Sequence, residues 1–196
     1  MHYIKEEFEK HIEKWEKLFS EYRIPSWDEL PPLELYMDQV IVLMNRYLKA
    51  FVLNADDNAQ LITPPMINNY VKLKAMPAPN KKKYSKTHLA YLIMISSLKQ
   101  ALNLPTISVL IPLLEDEDEV KRLYEDFALN QQKVFLYIKE QVENVTGSVL
   151  KRASKDNIID TGIAVQLATS ANIFKILSDD AAKIEKGILK TEDEEK

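Results

Sequence analysis

Three consecutive lysines, Lys81, Lys82 and Lys83, followed closely by Lys86, are the densest chemical signal in the chain. A short distance upstream stand Thr63, Pro65, two adjacent asparagines, Asn68 and Asn69, and Lys72. Ammonium groups displace the counterions condensed on a polyanion. An asparagine amide presents a donor and an acceptor together, matching N6 and N7 of adenine, and a good bidentate pair discriminates by roughly 1–3 kcal/mol. Between Asn58 and Leu114 there are seven lysines (72, 74, 81, 82, 83, 86 and 99) and no acid, so this segment carries +7. The whole chain is −4, which leaves −11 for the remainder. Such segregation points to a polyanion-binding module inside an otherwise acidic protein.

Spacing sorts these residues by task. On a helix beginning near Pro64, Met66, Ile67, Tyr70 and Val71 fall on one apolar side, and Pro65, Asn68, Asn69 and Lys72 fall on the other. The expectation is that Asn68 and Asn69 read base edges while Lys72 holds phosphate. Lys81, Lys82 and Lys83 are expected to edge a protruding turn, contacting backbone or leaning into a minor groove. The competing reading is a solvated helix face and a solvated loop. Two adjacent asparagines are poor helix formers, which argues for a task other than building the helix. Tyr84 is expected in the core, and His88 in a structural or solvent-facing role.

Other chemistries find little support. The glycines are Gly147, Gly162 and Gly187, so the first 146 residues have none and cannot build a phosphate-cradling loop or a dinucleotide fingerprint. His2, His11 and His88 form no pair with metal-ligand spacing. Glu115 to Glu119 are five consecutive acids without the alternating spacing of a calcium loop, and read as a solvated helix N-terminus. Ser96, Ser97 and Ser108 have no base near them in sequence. Cysteine is absent, which removes disulfides, thiolate metal sites and thiol redox sensing. No catalytic constellation, metal site or cofactor is expected, and the chain reads as a non-enzyme.

The elements that must position the basic segment are helical. Residues 3 to 22 space Ile4, Phe8, Ile12, Trp15, Leu18, Phe19 and Tyr22 three or four apart, an amphipathic helix. Arg23 to Pro32, with three prolines, reads as a connector. A second helix is expected from Leu33 to Leu53, burying Leu33, Tyr36, Val40, Met44, Tyr47, Leu48 and Phe51, followed by a polar loop, Asn54 to Gln60. Thr63 can cap a helix whose first turn tolerates Pro64 and Pro65, running to about Lys74. A tight hairpin then fits residues 78–84, turning at Pro79-Asn80. Ser85 caps a helix to about Leu102 with Leu89, Leu92, Ile93, Ile95, Leu98 and Leu102 inward. Pro105 opens a short helix to about Leu114. Long helices are expected over about 117–145 and 157–188, the latter with Ile173, Ile176, Leu177 and Ile184 on one face, before a charged, frayed tail. No strand beyond the hairpin is foreseen.

The order of these pieces resembles MerR-like winged helix-turn-helix regulators. Thr63-Pro64-Pro65-Met66-Ile67-Asn68-Asn69-Tyr70-Val71-Lys72 is similar to the recognition helix of that family, with its capping Ser or Thr, hydrophobic pair, Arg and two aromatics. Ala75-Met76-Pro77 stands at the family's turn, and Lys81-Lys82-Lys83-Tyr84-Ser85 at its basic wing. Leu89, Leu92, Leu98, Leu102 and Ile107 fall in register on the following helix pair. Here Asn68 replaces the phosphate-binding Arg, Asn69 the first aromatic, the loop before Thr63 is longer, and the wing lacks glycine. Met66 to Lys72 and Lys82-Lys83-Tyr84-Ser85 through His88-Leu89-Ala90-Tyr91-Leu92 resemble still more closely a little-characterised family of Gram-positive bacteria, a domain of unknown function with a MerR-like core. That likeness extends back through Ser26-Trp27-Asp28-Glu29-Leu30-Pro31 and Leu35-Tyr36-Met37-Asp38-Gln39-Val40, and implies a transcriptional regulator.

The combined expectation is an all-α chain with a small β-hairpin wing, in three parts: a helix and connector over 1–32, a winged helix-turn-helix core over 33–114, and a helical pair over 115–196 for dimerisation or effector sensing. The core would bind double-stranded DNA through a recognition helix (64–74) and a lysine-rich wing (78–84), using Thr63, Pro65, Asn68, Asn69, Lys72, Lys81, Lys82, Lys83 and Lys86. A homodimer would match two half-sites. The alternative is a helical protein-interaction or adaptor module with a degenerate DNA-binding core. RNA binding lacks its usual surface aromatics here. No run approaches the roughly 18 apolar residues that span a bilayer, and Met1 to Lys17 lacks the apolar centre of a secretion signal, so a cytoplasmic protein without membrane contact is expected. The residues do not specify an effector.

Overall fold

The computed structural model describes residues 2–21, 23–49, 61–153, 158–160 and 162–194. Its elements run β1 (His2–Ile4), α1 (Lys5–Glu21), a 3-10 turn (Trp27–Glu29), β2 (Leu35–Tyr36), α2 (Met37–Leu48), α3 (Pro64–Lys72), β3 (Lys83–Tyr84), α4 (Lys86–Leu98), α5 (Leu104–Leu110), α6 (Glu117–Ala153), β4 (Ile158–Asp160) and α7 (Gly162–Glu194). The architecture is mostly helical with small antiparallel pairings, β1 with β4 and β2 with β3.

Helix α4 is the axis of the core. From His88 to Ile95 every residue is buried, so the run Leu89-Ala90-Tyr91-Leu92-Ile93-Met94-Ile95 has no solvent face. A helix that is apolar all round must be enclosed on every side, and α2, α5 and α6 enclose this one. The expected single inward face was too narrow: Ala90, Tyr91 and Met94 are buried as well. Tyr91 also manages the exit from α5, its hydroxyl donating to the Pro112 carbonyl (2.9 Å) and accepting from the Leu114 N–H (2.9 Å). Tyr124 of α6 donates to the Pro25 carbonyl (2.7 Å) beside Trp27, locking the 3-10 turn onto the core. In that turn Glu29 accepts from the Ser26 N–H (2.7 Å) and pairs with Arg23. Those contacts, Arg23 first, hold its carboxyl down at about 2.

Three expectations change. Leu33 to Tyr36 is not helical: Leu35–Tyr36 pairs with Lys83–Tyr84, and α2 begins only at Met37. Leu33 and Tyr36 are consequently exposed, while Val40, Met44 and Leu48 are buried as expected. Phe51 and the loop at 54–60 lie outside the described residues. The pairing of β1 with β4, His2 opposite Asp160, joins segments some 150 residues apart and was not foreseen. The short helix after Pro105 starts at Leu104 and ends at Leu110, before Pro112 rather than through it.

Candidate nucleic-acid interface

Helix α3 starts with proline at its first two positions, where no N–H has an intrahelical partner anyway. Thr63 is the N-cap, but its hydroxyl makes no cap hydrogen bond. The two prolines have no N–H to give, and the Met66 N–H goes to the Thr63 carbonyl instead (3.0 Å). Capping is thus done by backbone. The helix is also shorter than the expected 64–74. It stops at Lys72 in a turn where the Ala75 N–H reaches the Tyr70 carbonyl (2.9 Å) and the Lys74 N–H reaches the Val71 carbonyl (3.0 Å). This is a Schellman motif, with Lys74 at φ 54° in the left-handed position that glycine ordinarily occupies.

The two sides of α3 divide as the spacing predicts. Ile67 and Tyr70 are buried, Met66 and Val71 half-buried, and Pro65, Asn68, Asn69 and Lys72 exposed. What aims the helix was missed from sequence. The Asn45 side chain on α2 accepts from the Leu61 and Ile62 N–H groups (2.7 and 3.2 Å) and donates to the Ile41 carbonyl (2.9 Å). It holds the two residues leading into Thr63. A lone asparagine on a helix carries no sequence mark of this task.

The wing is built on a two-residue turn. Asn80 and Lys83 exchange both backbone hydrogen bonds (3.1 and 2.8 Å), and Lys81 and Lys82 between them lie at φ 47° and 65°. Positive φ at both central positions is the type I′ pattern, whose twist suits a hairpin. The turn is therefore centred on Lys81-Lys82, not on Pro79-Asn80, and the wing strand takes β2 as its sheet partner. Lys81 and Lys82 are exposed at the tip. Lys83 and Lys86 are half-buried and already engaged: Lys83 lies 3.8 Å from Glu34 and 5.7 Å above the Tyr36 ring, and Lys86 lies 5.2 Å above the Trp27 ring. The three expected wing lysines and Lys86 at the start of α4 thus split into two presented outward and two that pack on aromatic faces.

His88 joins the wing to the core. Its Nδ1 accepts from the Ser85 N–H (3.0 Å), so Nε2 carries the proton and donates to the Ala78 carbonyl (3.1 Å). Burial holds its pKa below the usual histidine value, against smaller opposing effects from Ala78 and Glu34. Tyr84 packs edge-on against the imidazole and is itself buried, the core role expected of it.

Lys74, Lys81 and Lys82 are the positive-φ residues other than glycine among the described residues. All three are lysines, and all three lie in the basic segment.

Comparison with protein families matches residues 25–127 to a domain of unknown function, DUF1836. The chain belongs to this family. The DUF1836 stretch coincides with the hydrophobic core, whose members run from Ile24 to Phe127, and it contains α3, the lysine turn and the residues that aim them. Most of α6, and all of α7, lie outside it. No curated protein and no solved structure matches the chain.

Proposed function

We propose that this protein is a sequence-specific transcriptional regulator that binds duplex DNA through α3 and the lysine turn, in the manner of a MerR-like winged helix-turn-helix. The observation that carries this reading is the conformation of Lys81 and Lys82. An L-residue in the left-handed region costs about 1–2 kcal/mol that glycine would not. Local strain of this sort is retained where a side chain has work to do, and here the side chains are exposed ammonium groups in a segment without acids. Lys81 stands seven positions after Lys74, at most about 25 Å of chain, so the outward face of α3 and the turn fall within one helical turn of a duplex, about 34 Å. Asn68 and Asn69 would then read bases, with Thr63, Pro65, Lys72, Lys81 and Lys82 against the backbone. Lys83 and Lys86 add positive charge from behind the contact.

The partner of the C-terminal region in this reading is a second copy of the chain. Residues 164–177 of α7 are all exposed, including Val165, Leu167, Ile173, Phe174, Ile176 and Leu177. Leu167, Phe174, Leu177 and Ile184, with Ser170 and Ala181 between them, keep the three–four alternation of a helix-pairing seam. A twofold pairing would present two α3 helices to two half-sites.

Selection of bound fragments from a random duplex pool tests both parts together. A symmetric enriched site is the expected result. A chain that ignores duplex DNA even at low salt sinks the reading, and the exposed seam of α7 then favours a helical protein-interaction module.

A further inference from the structure

The outer face of α2 sets opposite charges evenly about an apolar centre. Val42, midway along it, is 73% exposed, and Asp38 and Arg46, four residues to either side, are exposed with it. Residues four apart share a ridge on a helix surface. Leu35, just ahead of the helix, continues the neighbouring ridge of Gln39 and Leu43. All six residues line one open groove, the gap between the two ridges. Asp38 lies in the first turn of α2 and Arg46 in the last, so each complements the helix's own dipole. The dipole accounts for the sign of charge at each end. It does not account for a bare valine halfway between them.

We propose that this groove is the docking site for α2 of a second copy of the chain. Packing the four-apart ridges of one helix into the grooves of another is the commonest way helices cross, at about −50°. Set about a twofold axis beside Val42, the ridge of each copy enters the groove of the other, antiparallel. The two valines then meet at the axis, and the aspartate of each copy falls beside the arginine of the other, twice over. Opposite charges placed evenly about an apolar centre are self-complementary, which is what an isologous contact requires and a different partner does not. A helix of 12 residues is about 18 Å long, and one such face falls short of the roughly 800 Å² per partner of a stable interface. The contact therefore forms between copies already held close. It is separate from the α7 seam, and a chain with two twofold contacts links dimers to one another, where either alone stops at two. As a source of cooperativity between neighbouring sites on a duplex it rests on the duplex-binding reading; as a contact between copies it does not.

The chain has no cysteine, so Val42→Cys supplies a single thiol beside the axis. Mild oxidation of this full-length variant, at the high concentration a weak contact needs, is expected to give a disulfide-linked pair. Rates are scaled to each variant's reaction with a small disulfide reagent. Asp38→Arg or Arg46→Asp, added singly, turns both attractions into repulsions and should slow linking about tenfold. The two reversals together restore the pairs with their signs exchanged, and should return the rate to that of Val42→Cys alone. Chains carrying one reversal each, when mixed, should link to each other faster than either links to itself. Thermal unfolding checks that every variant folds, as expected for three exposed positions. Rates that follow net charge, with Asp38→Arg faster and Arg46→Asp slower, would overturn the proposal, and so would a double reversal that stays slow. Duplex binding without charge-dependent linking removes this contact alone. Linking in the expected pattern by a chain that ignores duplex keeps the contact and removes the regulator.

Discussion

At Lys74, Lys81 and Lys82 the backbone holds Cβ close to the following carbonyl, where glycine would be free of the clash. Lys74→Gly should therefore stabilise the fold by about 1 kcal/mol in urea unfolding, since the Schellman turn keeps its hydrogen bonds and sheds only the clash. Lys82→Gly should stabilise by a similar amount, about 1 kcal/mol, and also weaken duplex binding, lowering the salt slope by about 0.9 because one phosphate is no longer neutralised. Stability gained at the expense of affinity is the signature of a residue kept for its charge; an unchanged slope would show that the strain serves no DNA contact. Asn68→Ala and Asn69→Ala should behave differently, narrowing the gap between preferred and scrambled sites while leaving the salt slope nearly intact. Equal loss on every sequence would make them backbone contacts. The types and spacing of these residues are legible in the sequence. Their backbone conformations are not, although 146 residues without glycine mean that any left-handed turn in that stretch has to use another residue.

Helix boundaries set by capping and proline are readable to within a few residues, as at Pro64, Lys86 and Glu117. The strands are not, because Leu35–Tyr36 and Lys83–Tyr84 are two residues each and periodicity needs a longer run. Leu33 and Tyr36 even fit the helical spacing of α2, and only the pairing with the wing pulls Tyr36 out of it. That pairing and His88 together fix the wing against α4. The His88 geometry requires a neutral ring, since a protonated Nδ1 cannot accept from the Ser85 N–H. Its folded pKa lies below the unfolded value of about 6.5, so its contribution is complete above about pH 6.5. The contribution falls as pH drops from there through the folded value and is gone below it. Hydrogen exchange at the Asn80 and Lys83 amides should accelerate over that window, once corrected for intrinsic pH dependence. In His88→Ala exchange should be fast already at pH 7.5, without the same step. An identical pH profile in the variant would move the titration to another group. Asn45→Ala should cost about 1–3 kcal/mol, the range for leaving buried backbone N–H groups unpaired, and should loosen Leu61 and Ile62 first.

On the scale of the whole molecule, the hydrophobic core and the DUF1836 match end together near residue 127, and the rest of α6 and all of α7 extend past that point. Ile173, Ile176, Leu177 and Ile184 are expected from the sequence on one face of the last helix. Periodicity identifies such a face but cannot say what covers it, and in the single chain these four stay more than half exposed. The other side of α7 does touch the core: it packs on α5, and Lys175 donates to the Ala101 carbonyl (3.0 Å) while pairing with Asp179. A helix anchored there and bare along its seam would, on the proposed reading, transmit the geometry of a dimer to α3 and the lysine turn. Each large aliphatic or aromatic side chain covered in a pairing contributes about 1.5–3 kcal/mol, so two charges on the seam should abolish it. Phe174→Glu with Leu177→Glu is expected to sediment as a monomer at concentrations where the parent chain is a dimer. Its thermal midpoint at low concentration should be nearly unchanged, because neither residue belongs to the buried core. Duplex binding should fall to the affinity of one half-site and lose its preference for symmetric sequences. A parent chain that sediments as a monomer at micromolar concentration would disprove the pairing. A monomeric variant that still prefers symmetric sites would place the twofold contact elsewhere, on the core itself.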